Sequence, residues 1–587
     1  MKRIGQLKKA AALLVGAVMC ISAAGVQALA AEESVLPSGA ALNAAESGDH
    51  FRRNDDSMVY DGFSYAKNTE NEDTGCIFQY TGDSKKIYIP EEVGGLKIYC
   101  LTLLIRDDGM LMDFENDTVE EIFISANIEW VSNEFLDRFK ALKRISVSDN
   151  NNTYAESDGV LYLKSKGVIQ YYPSARDGEL NPPKEWQGES YDDMSKIRSI
   201  TLNRDTVLAN EDYFNAAFRG YTSLDKIQID PDNDVGLKNV GDCIAKVKDG
   251  QVILWSCPAP KDTFIIPEGV TDVEAAILSM EAVSNPLRKI VFPSTYDPEK
   301  EFIFRGYYHG VYNVTEFEVS SNNPKYKSID GIVFNKTGET LVCFPSGKTG
   351  SYNVPAGITR LDDSSFSCSK LLELSMPDSV ISIGDDAIGG CGNLRRIKFS
   401  ENLEELGFFS VANNDVLEYV ELPASLRSID YCCFYKCPKL KSVKIPETID
   451  DFYGTMYFDE SKQEWAEDPD SLHYKQTFSD SPVTIYCAPG SPAEEMAKKE
   501  NIPYKSISEY DPSAAELPDL NTLGDVDDSG DVNATDALMT LRVSISLDTF
   551  TQEQTKRGDT NLDGYITAED ALDILRVSIG FPFSILA

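Results

Sequence analysis

Residues 371–446 read LLELSMPDSV ISIGDDAIGG CGNLRRIKFS ENLEELGFFS VANNDVLEYV ELPASLRSID YCCFYKCPKL KSVKIP. Within them Leu374-Ser-Met-Pro377, Ile397-Lys-Phe-Ser400, Val420-Glu-Leu-Pro423 and Val443-Lys-Ile-Pro446 follow one another at intervals of 23 residues. Other positions hold the same phase: Gly384 with Gly407, Leu394 with Leu417 and Leu440, Val411 with Phe434. So many positions keeping step together excludes a chance spacing of Ile-Pro pairs. Alternating apolar residues ahead of a Pro spell a short strand with one buried face, and Pro at its end removes no donor the ladder needs. Gly, small residues and an inward Leu or Phe turn the chain back. One coil cannot bury its apolar side alone, whereas stacked coils share a continuous core. The period therefore predicts a solenoid of short parallel strands joined by turns and short helices.

Looser copies extend the pattern toward the N-terminus: Ile87-Tyr-Ile-Pro90, Ile122-Phe-Ile-Ser125, Ile145-Ser-Val-Ser148, Ile265-Ile-Pro267, Ile290-Val-Phe-Pro293 and Asn353-Val-Pro355. Three β-hairpin inserts interrupt it. They run from Asn152 to Tyr172-Pro173, from Asp232 to Cys257-Pro258 and from Asn323 to Phe344-Pro345. Asp158-Gly159 and Asp330-Gly331 precede apolar strands and signal turns; the middle insert has the reversed order Gly241-Asp242. Ser491-Pro-Ala-Glu494 reads as a capping box with Pro at the first helical position. A helix to about Glu500 and a strand from Ile502 to Ser506 would close one end of the core, and residues Gly62 to Ile89 the other. A 23-residue period lies in the leucine-rich-repeat range. With the inserts and the closing unit, the stretch Gly62 to Ser506 resembles the BspA-like leucine-rich repeats of secreted bacterial proteins.

A second repeat follows Ile507–Asn521, which is acidic, carries Pro512 and Pro518, and reads as a linker. Two copies of one unit lie 34 residues apart, Asp525-Val-Asp-Asp-Ser-Gly-Asp-Val-Asn-Ala-Thr-Asp536 and Asp559-Thr-Asn-Leu-Asp-Gly-Tyr-Ile-Thr-Ala-Glu-Asp570. Each leads into a near-identical helix containing Leu-Arg-Val-Ser-Ile. The spacing is that of a calcium loop: oxygens at positions 1, 3 and 5, Gly at 6, a backbone carbonyl at 7 and a carboxylate at 12. The candidate ligands of two calcium ions are Asp525, Asp527, Ser529, Asp531 and Asp536, then Asp559, Asn561, Asp563, Tyr565 and Asp570. Asn533 and Thr567 at position 9 would bind directly or through water. Position 12 is Asp, and Pro518 leaves little room for a helix before the first loop. The unit thus resembles a type I dockerin with two EF-hand-like loops. That resemblance implies a cohesin module of a scaffoldin as partner and placement in a cellulosome. It maps recognition onto Thr535, Leu541, Arg542 and Ser546, and onto Glu569, Leu575, Arg576 and Gly580. Leu538 and Leu572 are expected to face the module's own core.

The whole chain has 587 residues, with 55 Lys+Arg against 95 Asp+Glu and a net charge of −40. Such a surface repels phosphate backbones and anionic lipid, which argues against a nucleic-acid or membrane-surface partner. The three His (His50, His309, His473) are far apart and form no HExxH, so no His-based catalytic motif is visible. A basic start, the apolar run Ala10–Val26 and Ala28-Leu29-Ala30 read as a cleaved export signal. Cys20 leaves with it, and the odd number of cysteines that remains does not indicate a disulfide framework. Cys368, Cys391 and Cys437 fall near corresponding repeat positions and read as small apolar fillers. The expected organisation is signal peptide 1–30, N-terminal linker 31–61, solenoid 62–506, linker 507–521 and dockerin 522–587. The expected function is a secreted, non-catalytic cellulosome component whose solenoid binds a glycan, a cell surface or a protein. The competing reading is a polysaccharide-degrading enzyme with an unrecognised carboxylate pair, since dockerins most often carry such enzymes.

Overall fold

The computed structural model describes residues 58–583 except 69–70, 72, 104–113, 187, 189, 191, 210–216, 219–220, 275–276, 278–286, 299–301, 303, 305–310, 431, 450, 453–455, 460–463, 468–476, 479, 511–521, 562–564 and 580–582. The expected export signal, most of the N-terminal linker and most of the linker 507–521 lie outside the described residues. The described residues divide into two compact units, one within 27–279 and 292–301, the other within 280–291 and 302–587. No described helix is long and apolar enough to cross a membrane.

In the first unit, antiparallel strands Met58–Tyr60, Phe63–Lys67 and Thr74–Tyr80 pair in order, and the last runs parallel to Leu96–Leu101. The closing layer thus starts four residues before the expected boundary at Gly62. Beside it Lys86–Tyr88, Glu121–Ile124 and Arg144–Val147 form a parallel ladder in the register the repeat demands, Ile87 opposite Ile122 and Ile122 opposite Ile145. All three Ile are buried.

The second unit repeats this with two ladders. Strands Lys370–Ser375, Arg396–Lys398, Tyr419–Glu421 and Ser442–Lys444 each hold one of the in-phase apolar residues, Leu374, Ile397, Val420 and Val443, pointing into the core. A second ladder, Leu361–Ile383–Leu406–Ile429–Phe452, runs through two-residue strands. These strands differ from the expected single strand per coil; two residues are too few to display an alternating pattern. Close stacking of the coils excludes side chains at Gly407, where a Cβ would lie 2.7 Å from the Gly384 carbonyl carbon.

Each insert is a three-stranded antiparallel meander: 154–157/160–163/168–171, 237–240/243–248/251–258 and 326–329/332–335/340–343. Asp158 and Gly159 have φ 52° and 81°, and Asp330 and Gly331 51° and 78°, the two positive values of a type I′ turn. In the corresponding turn of the middle insert Gly241 is positive, at 57°, and Asp242 is not. That is the type II′ requirement for Gly at the first turn position, and it accounts for the reversed Gly-Asp order.

Every described cysteine is a buried free thiol. The in-phase positions 391, 414 and 437 do more than fill space. Cys391 Sγ donates to Phe366 O at 3.2 Å and Cys437 Sγ to Val411 O at 3.4 Å. Asn414 occupies the same phase: its Nδ2 donates to Ile388 O and Val411 O at 3.1 and 2.7 Å, and its Oδ1 accepts from Cys391 N at 2.9 Å. Each of these side chains reaches back to a carbonyl of the preceding coil. Burial pushes the Cys437 thiol up to about 12, so it stays protonated and able to donate.

At the C-terminal end, Thr484–Cys487 pairs with Ser442–Lys444 on one side and Tyr504–Ser506 on the other. The helix Pro492–Glu500 starts at Ser491, whose hydroxyl accepts from Glu494 N at 3.3 Å, and stops at Asn501 with φ 55°. The Glu494 carboxylate returns the bond to Gly490 N, one residue before the expected partner. Replacing the buried Asn414 with Ala removes the donor to the Ile388 carbonyl and the acceptor of the Cys391 N–H, and leaves the Val411 carbonyl with the Cys437 thiol alone. Asn414→Ala is expected to cost about 2–4 kcal/mol and lower the thermal midpoint of the full chain, whereas exposed Lys439→Ala should leave it unchanged by calorimetry.

Candidate functional site

The first C-terminal loop is tied to its helix by one carboxylate. Asp536, fully buried, accepts from Val526 N and Asp527 N at 2.9 and 3.1 Å through Oδ1 and from Asn533 N at 2.9 Å through Oδ2. Asp525 accepts from Ser529 N at 2.9 Å and Gly530 N at 2.8 Å, and Gly530 has the φ of 90° that the turn at position 6 needs. Burial alone would raise the Asp525 carboxyl; the Gly530 and Ser529 amides and the Arg557 guanidinium outweigh it and hold it below its ordinary value. Oxygens of Asp525, Asp527 and Asp536 lie within 4.8 Å of one another. Three carboxylates brought that close repel unless a cation sits among them. An all-oxygen donor set suits a hard divalent ion. Asp531 presents its carbonyl to the same turn, accepting there from Ser529 Oγ at 3.2 Å and Asn533 Nδ2 at 3.1 Å.

The second loop repeats the tie. Asp570, also fully buried, accepts from Thr560 N at 2.9 Å and Asn561 N at 3.3 Å through Oδ1, and from Thr567 N at 2.8 Å through Oδ2. Asp559 is buried at the C-terminal end of the helix Gln552–Gly558, and Tyr565 is exposed, leaving its position to act through the backbone. Asp563 lies outside the described residues, as does Gly580 of the expected docking face.

The position-9 residues cap the helices that follow the loops. Asn533 Oδ1 accepts from Thr535 N at 2.8 Å, and Thr567 Oγ1 donates to Asp570 Oδ2 at 3.0 Å while accepting from Glu569 N at 3.2 Å. Both are N-caps of the following helices, and each side-chain oxygen uses one acceptor position for that task.

Helices Ala534–Ser544 and Ala568–Ser578 pack around Ala537, Ala571 and Ile574, with Leu523, Val526 and Phe583. Leu538 and Leu572 are 57% and 58% exposed, contrary to the expectation that they face this core. The buried turn positions are 536, 537 and 540, so residue 538 points away, and helical spacing puts it in line with 541, 542 and 545. The same holds 34 residues on. Each helix therefore presents one exposed stripe: Leu538, Leu541, Arg542 and Ile545, and Leu572, Leu575, Arg576 and Ile579. Thr535, Glu569 and Ser546 are exposed beside these stripes. Of the six apolar members sequence reading assigns only Leu541 and Leu575 to recognition; the i, i+3, i+4, i+7 spacing from Leu538 would have found the rest. It also passed over the helix Gln552–Gly558, whose start is marked by the capping box Thr551-x-x-Gln554.

Comparison with known proteins bears on both parts. Residues 340–464 match the BspA type leucine rich repeat region, in six copies, and residues 523–576 match the dockerin type I domain. No curated protein matches the chain. Solved structures similar to it include a leucine rich cell surface protein from Faecalibacterium prausnitzii, 17% identical over 75% of this chain and 96% of its own, with a TM-score of 0.32. The pneumococcal vaccine antigen PcpA is 15% identical over 77% and 98%, with a TM-score of 0.30. A leucine-rich repeat protein from Eubacterium ventriosum is 14% identical over 67% and 85%, with a TM-score of 0.27. The chain thus joins a BspA-type leucine-rich repeat solenoid to a C-terminal type I dockerin domain.

Proposed function

We propose that this protein is an exported, non-catalytic component of a cellulosome-type assembly. Its dockerin attaches to a cohesin module in a calcium-dependent way, and its solenoid holds a glycan, cell-surface or protein ligand. The observation that carries the reading is the pair of exposed leucine–arginine–isoleucine stripes on helices whose first turns are fixed by the loop carboxylates Asp536 and Asp570. An apolar row left in water on an otherwise charged small domain marks a docking face. Burying each Leu or Ile there contributes about 1.5–3 kcal/mol, and Arg542 and Arg576 supply directional contacts to a partner's carboxylates or carbonyls.

Two calcium ions fit the two loops. Asp525, Asp527, Ser529, the Asp531 carbonyl and Asp536 would hold one. Asp559, Asn561, Asp563, the Tyr565 carbonyl and Asp570 would hold the other. Neutralising the clustered carboxylates links metal binding to folding of the domain. Calorimetric titration of the full chain should find two calcium sites; Asp536→Ala and Asp570→Ala should each leave one. Cohesin binding should vanish in chelator, and cohesin affinity unchanged by chelator would contradict the reading.

The stripes are related by the 34-residue repeat, so turning the domain by half a turn offers a cohesin nearly the same face. Either helix should then be able to lead, with Thr535 against Glu569 as the built-in difference. Altering Leu541 and Arg542 together should weaken cohesin binding less than altering both Leu-Arg pairs. Complete loss from the first pair alone would mean a single binding mode.

The coils, inserts and end layers described between Met58 and Ser506 support the non-catalytic reading. The purified protein should not hydrolyse cellulose, xylan, pectin or casein. Turnover abolished by changing one Asp or Glu would favour the enzyme reading instead.

A further inference from the structure

One residue of the dockerin touches both of its loops. Arg557 is the next-to-last residue of the helix Gln552–Gly558 and stands just ahead of Asp559, where the second loop begins. Its guanidinium reaches across to the first loop. There Nη1 donates to the Asp525 carbonyl at 3.3 Å and to the Asp528 carboxylate at 2.5 Å. Its backbone carbonyl accepts from Gly524 N at 2.7 Å, one residue before that loop. These bonds run from the last helical turn ahead of one loop to the start of the other.

Loop geometry is decided at both ends of this link. Asp528, at position 4, has φ 61°, a left-handed conformation that Asp tolerates better than most residues but does not favour. It lies between Asp527 and Ser529, so the turn at 528 sets how the oxygens of Asp525, Asp527 and Ser529 converge. At the other end Asp559 N donates to Thr555 O at 3.0 Å, which ties position 1 of the second loop to the same helical turn. Gly558 lets that turn lie against Phe550, whose ring a Cβ would meet at 2.8 Å.

The 34-residue repeat makes the link one-sided. Leu523 occupies in the first copy the place of Arg557, and Leu562 in the second copy the place of Asp528. Cation and carboxylate thus appear together on one side of the repeat, and leucine stands at both places on the other. The Arg557–Asp528 pair is open to water on its Asp528 side and is weak by itself. The contacts that Arg557 makes to the Asp525 carbonyl and the Gly524 amide give the link its geometry. Ordering either loop fixes Arg557, and the loop at the other end then has less conformational freedom left to lose when it takes its ion.

We propose that Arg557 is a positioning residue that couples the two calcium loops, so that filling one raises the affinity of the other. The proposal rests on the dockerin's holding two calcium ions, as put forward above, and adds how the two sites act on each other. By linkage the effect is reciprocal: each site strengthens the other by the same factor.

The test is calorimetric calcium titration of the full chain beside its Asp536→Ala and Asp570→Ala variants, which give the affinity of each site alone. The overall constant for filling both sites should exceed the product of the two single-site constants by about fivefold or more. Repeated with Arg557→Leu added to all three chains, which sets at 557 the residue type of the first copy, this factor should fall to about one. Asp528→Asn should lower it in the same direction. Lys556→Ala, which removes an ion pair within the helix, should leave it as it was. Circular dichroism at saturating calcium should be alike in the full chain and in Arg557→Leu, as the control for folding. A factor unchanged by Arg557→Leu, even where both single-site affinities drop, would make Arg557 a structural contact only and overturn the proposal. So would a factor of about one in the unaltered chain; in either case two calcium sites would still stand. No calcium binding at all would overturn the proposal and the calcium reading together.

Discussion

Each coil of the solenoid offers the backbone N–H and C=O groups of two short strands to its neighbours, and no coil can satisfy them alone. Unpaired backbone groups at a buried edge are costly, so the register between coils fixes everything else. It forces the 23-residue spacing, places Gly407 where a side chain would strike Gly384, and makes the positions of Cys391, Asn414 and Cys437 donors to the coil before. It also dictates the ends. The antiparallel strands from Met58 to Tyr80 cover one edge, and the helix Pro492–Glu500 with the strand Tyr504–Ser506 covers the other. Even the inserts obey it, because the third strand of the last two rejoins the parallel ladder, as Leu341 opposite Leu361 and Leu254 opposite Val273 show.

The dockerin solves the same shortage of core by another means. Its few buried side chains, Leu523, Val526, Ala537, Ile574 and Phe583, are a small hydrophobic store for two helices. Order is imposed at the loops, where Asp536 and Asp570 each bind the loop's first amides and the N-cap amide of their helix. A cation that holds these carboxylates therefore also holds the helices, and with them the apolar stripes. Such an arrangement can afford to leave Leu538, Ile545, Leu572 and Ile579 in water, because folding does not depend on burying them.

Much of this was legible in the amino-acid sequence because it rests on periodicity. The phase of Leu374, Ile397, Val420 and Val443, the Asp-Gly turns at 158 and 330 and the two twelve-residue loops all stand where spacing put them. What escaped is short or depends on tertiary context. Two-residue strands such as Ser382–Ile383 show no alternation. The direction of Leu538 and Leu572 is set by which face of an amphipathic helix meets the partner helix, and Ala537, Ala571 and Ile574 won that face although they are no more apolar.

The central claim is a division of labour: a solenoid whose order comes from coil stacking, and a docking domain whose order and exposed helix faces come from calcium. Hydrogen–deuterium exchange of the full chain with and without calcium tests it most directly. The account predicts that adding calcium slows exchange across the two loops and the helices Ala534–Ser544 and Ala568–Ser578, while the coils between Met58 and Ser506 exchange at the same rate in both conditions. Equal exchange in the loops with and without the ion, or protection spreading through the coils, would contradict it.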